Sequence, residues 1–228
     1  CVVGCTLQSN SATWANSGGG GIYAQTLGRS LLSNCVISAN SAIWTGGGLS
    51  IYSATSEVAN CIISSNVSIN SGGGGVVIYA NYALRNCTIA GNYAQQEGGG
   101  VFSATSVSGD PNNIVVNCVI AGNSSGSALY HNVYNTGDRS NFYWHTCANT
   151  PNAPQAPNQG NSTNNPSFVA ASGGNWRLRG DSPCMNAGSN QNWMTGGLDF
   201  DGHARIYYGR VDIGAYETII GGVIVKCR

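Results

Sequence analysis

The sequence predicts an all-β chain folded as a single parallel β-helix: a solenoid of about five coils followed by an irregular C-terminal capping segment. Three observations carry this. The phrase Asn-Cys-x-Ile-x-x-Asn recurs, a glycine phrase keeps step with it, and the repeats are built from residues that favour strands and turns.

The first phrase starts at Asn34, Asn60, Asn86 and Asn117, and a fifth copy at Cys5 lacks the leading Asn. Its cysteines, Cys5, Cys35, Cys61, Cys87 and Cys118, advance by 30, 26, 26 and 31 residues. The second phrase is a glycine run at 18–21, 46–48, 72–75 and 98–100, each followed by a β-rich segment such as Val76-Val77-Ile78-Tyr79. Two phrases in step over several copies identify stacked supersecondary units. Val, Ile, Tyr, Thr and Asn in short runs broken by Gly and Ser read as strands and corners. Helical repeats need Ala, Leu, Glu and Lys at a 3.6 period, and leucine-rich repeats need a Leu-x-x-Leu-x-Leu frame; the chain has neither.

Coils stacked about 4.8 Å apart place equivalent residues above one another. The asparagines are therefore expected to form ladders that satisfy their own amides and tolerate left-handed corners. Glycines supply tight bends with positive φ. Cys35, Cys61, Cys87 and Cys118 share one phase and are expected in the core as free thiols, because in-register side chains rarely present disulfide geometry. The expected organisation is coils over 1–135, a loop-rich closing segment packed on the solenoid over 136–217, and a C-terminal β-strand tail over 218–228.

The phrases resemble those of the right-handed parallel β-helix repeat proteins of bacterial surfaces, of the polymorphic outer-membrane and extracellular types. "NNPSFVAASGGNWRLRGDSPCMNAGSN" (164–190) and "DFDGHARIYYGRVDIGAYE" (199–217) are similar to the closing segment of secreted, often surface-anchored members. The resemblance implies an extracellular or cell-surface location and a scaffold or adhesive role. It implies no single activity, since the same fold hosts pectin and alginate lyases. Where such members continue into a linker and anchor, this chain has "TIIGGVIVKCR", in which Ile219, Ile220, Val223, Ile224 and Val225 read as a further strand. Cys1 opens within structured sequence, as expected where a secretion signal has been removed.

Composition narrows the function classes. Charged residues make up 8% of the chain, against roughly 25% in soluble proteins generally, and the net charge is zero. Three arginines and no lysine serve the first 176 residues, so a nucleic-acid or phosphate groove is not expected there. No apolar run approaches the roughly 18 residues that span a bilayer.

Candidate chemistry is sparse. Arg29, Glu57, Arg85, Glu97, Asp110, Asp138 and Arg139 do not recur at one phase, so no catalytic carboxylate ladder is expected and the protein reads as a non-enzyme. A polysaccharide lyase is the minor alternative. Asp199-Phe200-Asp201-Gly202 is a weak calcium candidate, with alternate carboxylates before a glycine but no third acid. The competing reading pairs the acids and arginines after 176 to close the end of the solenoid. No other cofactor is implied. His131, His145 and His203 lie far apart, as turn residues rather than zinc ligands. Cys147 and Cys184 fall outside the repeats and form the best intramolecular disulfide pair in a secreted chain. Sequons at Asn66, Asn86, Asn123 and Asn161 read as chance in so Asn-rich a sequence.

Two partner classes follow. An open solenoid end templates strand addition, so end-to-end self-association into filaments is expected, with Cys1, Cys227 and the apolar tail as contacts. Alternatively, Tyr23, Tyr52 and Tyr79, which recur after the glycine phrase, stack on surface glycans; their bland reading is an aromatic ladder.

Overall fold

A computed structural model describes residues 1–14, 18–25, 28–52, 55–79, 81–104, 114–127, 129–135, 142–148 and 160–220. Each coil contributes one strand to each of four sheets in chain order. The first sheet stacks Val2–Val3, Arg29–Ser33, Thr55–Ala59, Asn81–Arg85, Ile114–Val116 and Phe142–Trp144. The second stacks Thr6–Gln8, Val36–Ser38, Ile62–Ser64, Thr88–Ala90, Val119–Ala121 and Cys147–Ala148. The third runs from Ser11–Ala12 to Ser124–Ser125, and the fourth from Ile22–Ala24 to Val133–Asn135, with five strands each. Pairing throughout the stack is parallel and in register, so Ile63 lies between Ile37 and Ile89. Five coils are complete. The first two strands of a sixth carry the stack to Ala148, past the boundary expected at 135, and Cys147 lies inside the repeats.

The corners separate two jobs that the sequence placed on one set of asparagines. Asn34, Asn60, Asn86 and Asn117 hold φ between 49° and 56°, and His145 takes the same place in the sixth coil. These are the left-handed corners. The buried ladder belongs instead to the other asparagine of the phrase. In Asn10, Asn40, Asn66, Asn92 and Asn123 the side-chain amide donates to the Oδ1 of the next member at 2.9–3.0 Å, and Asn132 closes the row. That same Oδ1 also accepts the previous member's backbone N–H. The second amide proton reaches a carbonyl of the preceding coil, as from Asn66 to Ile37. Among the described residues, the buried Asn86 side chain finds no hydrogen-bond partner, so the corner asparagines do not form a second continuous ladder.

Inside the stack, Ile37, Ile63, Ile89 and Ile120 form one row, and Cys35, Cys61, Cys87 and Cys118 another, all without solvent exposure. Each of these four thiols donates to the carbonyl two residues before it at 3.2–3.4 Å. Thr146 replaces the cysteine in the sixth coil and makes the same bond to Trp144. The glycine runs answer two constraints. Gly73 has φ 71°, whereas a Cβ on Gly74 would lie 2.2 Å from the Tyr93 carbonyl oxygen.

Asn161 and Ser162 of the closing segment pair with the last coil, at Tyr143, Thr146, Cys147 and Ala148, but most of its described residues lie elsewhere. They lie along the outer side of the second sheet, where Ile62 and Ala90 meet Trp176, Ala215 and Tyr216. Further along, Val119, Ala121 and Cys147 meet Leu178, Cys184 and Ile213. Gly214 passes close enough that a Cβ would sit 3.1 Å from Thr88 Oγ1, and its φ of 118° suits glycine. Arg205 fastens this cover. Its guanidinium is fully buried, pairs with Glu217 at 2.8 Å, and donates to the Gly214 and Ala215 carbonyls and the Asn60 side chain. Burial pushes the Glu217 carboxyl up to about 7, against the opposing pull of Arg205, and burial also raises Asp212.

Two predictions follow from this packing. Asn66→Ala orphans the backbone and side-chain donors of Asn40, and urea titration is expected to show a loss of about 3 kcal/mol or more. Between the ordinary Glu value of 4.5 and about 7, the folded chain keeps a proton on Glu217 that the unfolded chain has lost. Stability is therefore expected to fall as pH rises through that window, and Glu217→Gln to flatten the decline in urea midpoints.

Candidate functional site

With the cover on the second sheet, the first sheet presents an open face that carries charge. Along each of its strands alternate residues point outward, giving Arg29, Leu31 and Ser33, then Glu57, then Ala83 and Arg85. Arg29 is ion-paired to Glu57, and the Arg85 Nε lies 3.7 Å from the other Glu57 oxygen. Two guanidinium groups, from the coils on either side, thus converge on one carboxylate, with an excess of one positive charge.

Their spacing explains why the sequence did not reveal them. Arg29, Glu57 and Arg85 advance by 28 residues, while the local coil is 26. A slip of two keeps a side chain on the same face and moves it one row along, so a diagonal cluster has no single phase.

The cover supplies the groove's second wall. Gln191 Oε1 accepts from Arg85 Nη1 and from Trp193 Nε1, both at 3.0 Å. This fixes the Trp193 ring at the edge of the sheet, where it is 43% exposed. Asn60 binds the Leu198 carbonyl at 3.3 Å, holding an exposed Leu198 beside it. Two adjoining hollows, of about 310 and 350 Å³, share Glu57. One lies over Arg29, Tyr82 and Arg85; the other is bounded by Asn34, Trp193 and Leu198. Together they form a shallow groove with hydrogen-bonding groups along its floor and an indole at its wall.

The tyrosines occupy the outer side of the fourth sheet. Tyr52 and Tyr79 stack at 4.5 Å with planes 16° apart, and Tyr23, Phe102, Tyr134 and Tyr130 extend the row at 4.6–6.4 Å. Burial and the neighbouring Tyr52 push the Tyr79 hydroxyl up to about 12. Where Tyr52 and Tyr79 lie face to face, the surface a sugar would stack on is already covered. The Tyr52–Tyr79 stack is a cross-strand packing contact, while Tyr23 is tilted from Tyr52 and half exposed.

The remaining candidates are placed as follows. Asp199 does not share an open face with Asp201. Its oxygens accept the backbone N–H groups of Asp201, His203 and Glu217 at 2.7–2.9 Å, while Asp201 forms a two-point pair with Arg177. Among the described residues no three acidic, His or Cys side chains form a metal-binding group. His131 accepts the Ser125 N–H, and His145 contacts the Ala187 carbonyl. Asn66, Asn86 and Asn123 are buried, and Asn161 bonds Thr146 and Tyr143. Cys147 and Cys184, both without exposure, share one apolar cluster between the second sheet and the cover, and the Cys147 thiol donates to the Asn164 carbonyl at 3.2 Å. Cys1 is exposed.

The strand expected over the tail does not begin at Ile219 and Ile220. Thr218 donates to Asp212, and the Tyr208 hydroxyl binds the Ile220 carbonyl, so the backbone is held by side chains rather than a ladder. Val223, Ile224, Val225 and Cys227 lie outside the described residues.

No curated protein and no solved structure matches the chain. A family model described as the right-handed β-helix region matches residues 2–145, the stretch that holds the stacked coils almost to their last strand. By that match and by its four in-register parallel sheets, the chain belongs to the right-handed β-helix family.

Proposed function

We propose that the protein is a non-catalytic, adhesin-like scaffold of the bacterial cell exterior that holds surface glycans in the groove of its first sheet. The observation that carries this reading is the Arg29–Glu57–Arg85 cluster beside Trp193. Sugar rings offer hydroxyl pairs to forked donors and carboxylates, and an apolar C–H face to an indole. Gln191 takes up the indole N–H and leaves the ring as the contact surface.

The non-catalytic part rests on the same geometry. Glycoside hydrolysis uses two carboxyl groups flanking the scissile bond. Among the described residues lining the two hollows Glu57 is the one acid, and guanidinium groups face both its oxygens. The Asn-, Ser- and Gly-rich surface and the secreted-type closing segment support the exterior location. Calcium has no place in this reading.

A second reading is end-to-end assembly: the edge of a stack of parallel strands accepts further strands, and addition of successive copies gives a filament.

A glycan array, followed by calorimetry on the hits, tests the first reading. Trp193→Ala is expected to weaken binding by about tenfold or more without shifting the melting curve. An array with no plant, algal or bacterial hit overturns the proposal. For assembly, sedimentation and electron microscopy at rising concentration are expected to show end-to-end particles; dispersed monomers throughout remove that reading.

A further inference from the structure

We propose that Cys147 and Cys184 form a structural disulfide that staples the closing segment to the sixth coil, while the stacked thiols of the core stay reduced. The observation behind it is that the two fully buried cysteines share one apolar cluster with Val119, Leu178 and Ile213, one from each layer.

The described cysteines fall into distinct environments. Cys35, Cys61, Cys87 and Cys118 project inward from parallel strands one coil apart. Neighbouring side chains there run side by side, which brings sulfurs near each other without the roughly 90° dihedral that a disulfide needs. Each is also tied to its own chain by the bond to the carbonyl two residues back.

Cys147 is different. It stands opposite Val119 in the second sheet, and that row points outward to the cover. Cys184 comes from the cover itself, in a turn held by Ser182 and by the Ile213 N–H. The two side chains therefore approach from opposite layers, where the dihedral is free to be met.

The chemistry is a two-electron oxidation. A small disulfide oxidant such as glutathione disulfide accepts two electrons and becomes two thiols, through a mixed disulfide on one cysteine. The second thiolate displaces glutathione and closes the S–S bond. Because both sulfurs are buried in the finished fold, closure belongs to folding, before the cover seats. The staple does not depend on the glycan reading, although the wall that carries Trp193 belongs to the stapled segment.

Peptide mapping by mass spectrometry tests the assignment. The full chain is refolded in a glutathione redox buffer and alkylated without reduction. The expected result is a 147–184 linked peptide, with Cys35, Cys61, Cys87 and Cys118 alkylated once the chain is unfolded. Reduction is expected to lower Tm by about 10 °C, and Cys184→Ser to abolish that shift. Alkylated Cys147 and Cys184 in the refolded chain, or either one linked to another cysteine, overturns the proposal. The mapping is done on the unaltered protein, so it stands even where Cys184→Ser fails to fold.

Discussion

A β-helix must turn a corner several times per coil, and each turn takes peptide groups out of the sheets that would satisfy them. In this protein the cost is met by one buried row of asparagines. Each Oδ1 accepts a backbone N–H and a side-chain amide from the coil before it, and each amide reaches back to a carbonyl. Buried polar networks of this kind stabilise only when every member is satisfied. The row therefore constrains everything beside it. Coils must stack with no slip, the turn following must be tight, and glycines must stand where neighbouring backbones come within 2.2 Å of a Cβ.

Because the stack is so regular, its four sheets differ mainly in what lies outside them. The second is buried under a cover whose arginine, itself without exposure, is matched to Glu217 and to main-chain carbonyls. A buried charge is tolerated only with such partners, and their removal leaves a strongly penalised group. The fourth sheet is faced by stacked aromatics. The first is left with a polar floor, and the cover's edge turns that floor into a groove by adding Trp193 and Leu198. The candidate site thus exists because part of the closing segment runs along the side of the solenoid.

Recurrence made most of the scaffold legible in the residues. The cysteine row, the isoleucine row, the glycine corners and the tyrosine row were all visible as repeated phrases. The division of labour between the two asparagines was not, because both recur with the same period. Only the backbone shows that Asn60 turns the corner with φ 56° while Asn66 carries the ladder. The diagonal Arg29–Glu57–Arg85 cluster was hidden for a related reason, since its 28-residue step falls out of phase with the coil.

The sequence by itself determined the fold class, the rows and the corner chemistry, because stacked coils force equivalent positions to repeat and a repeat can be read without coordinates. Tertiary structure alone decided where the non-repeating segment lies, that Gln191 and Trp193 reach Arg85, and that Cys147 and Cys184 share one cluster. Those contacts join residues many positions apart through packing that occurs once, and an interaction that occurs once leaves no period in the sequence.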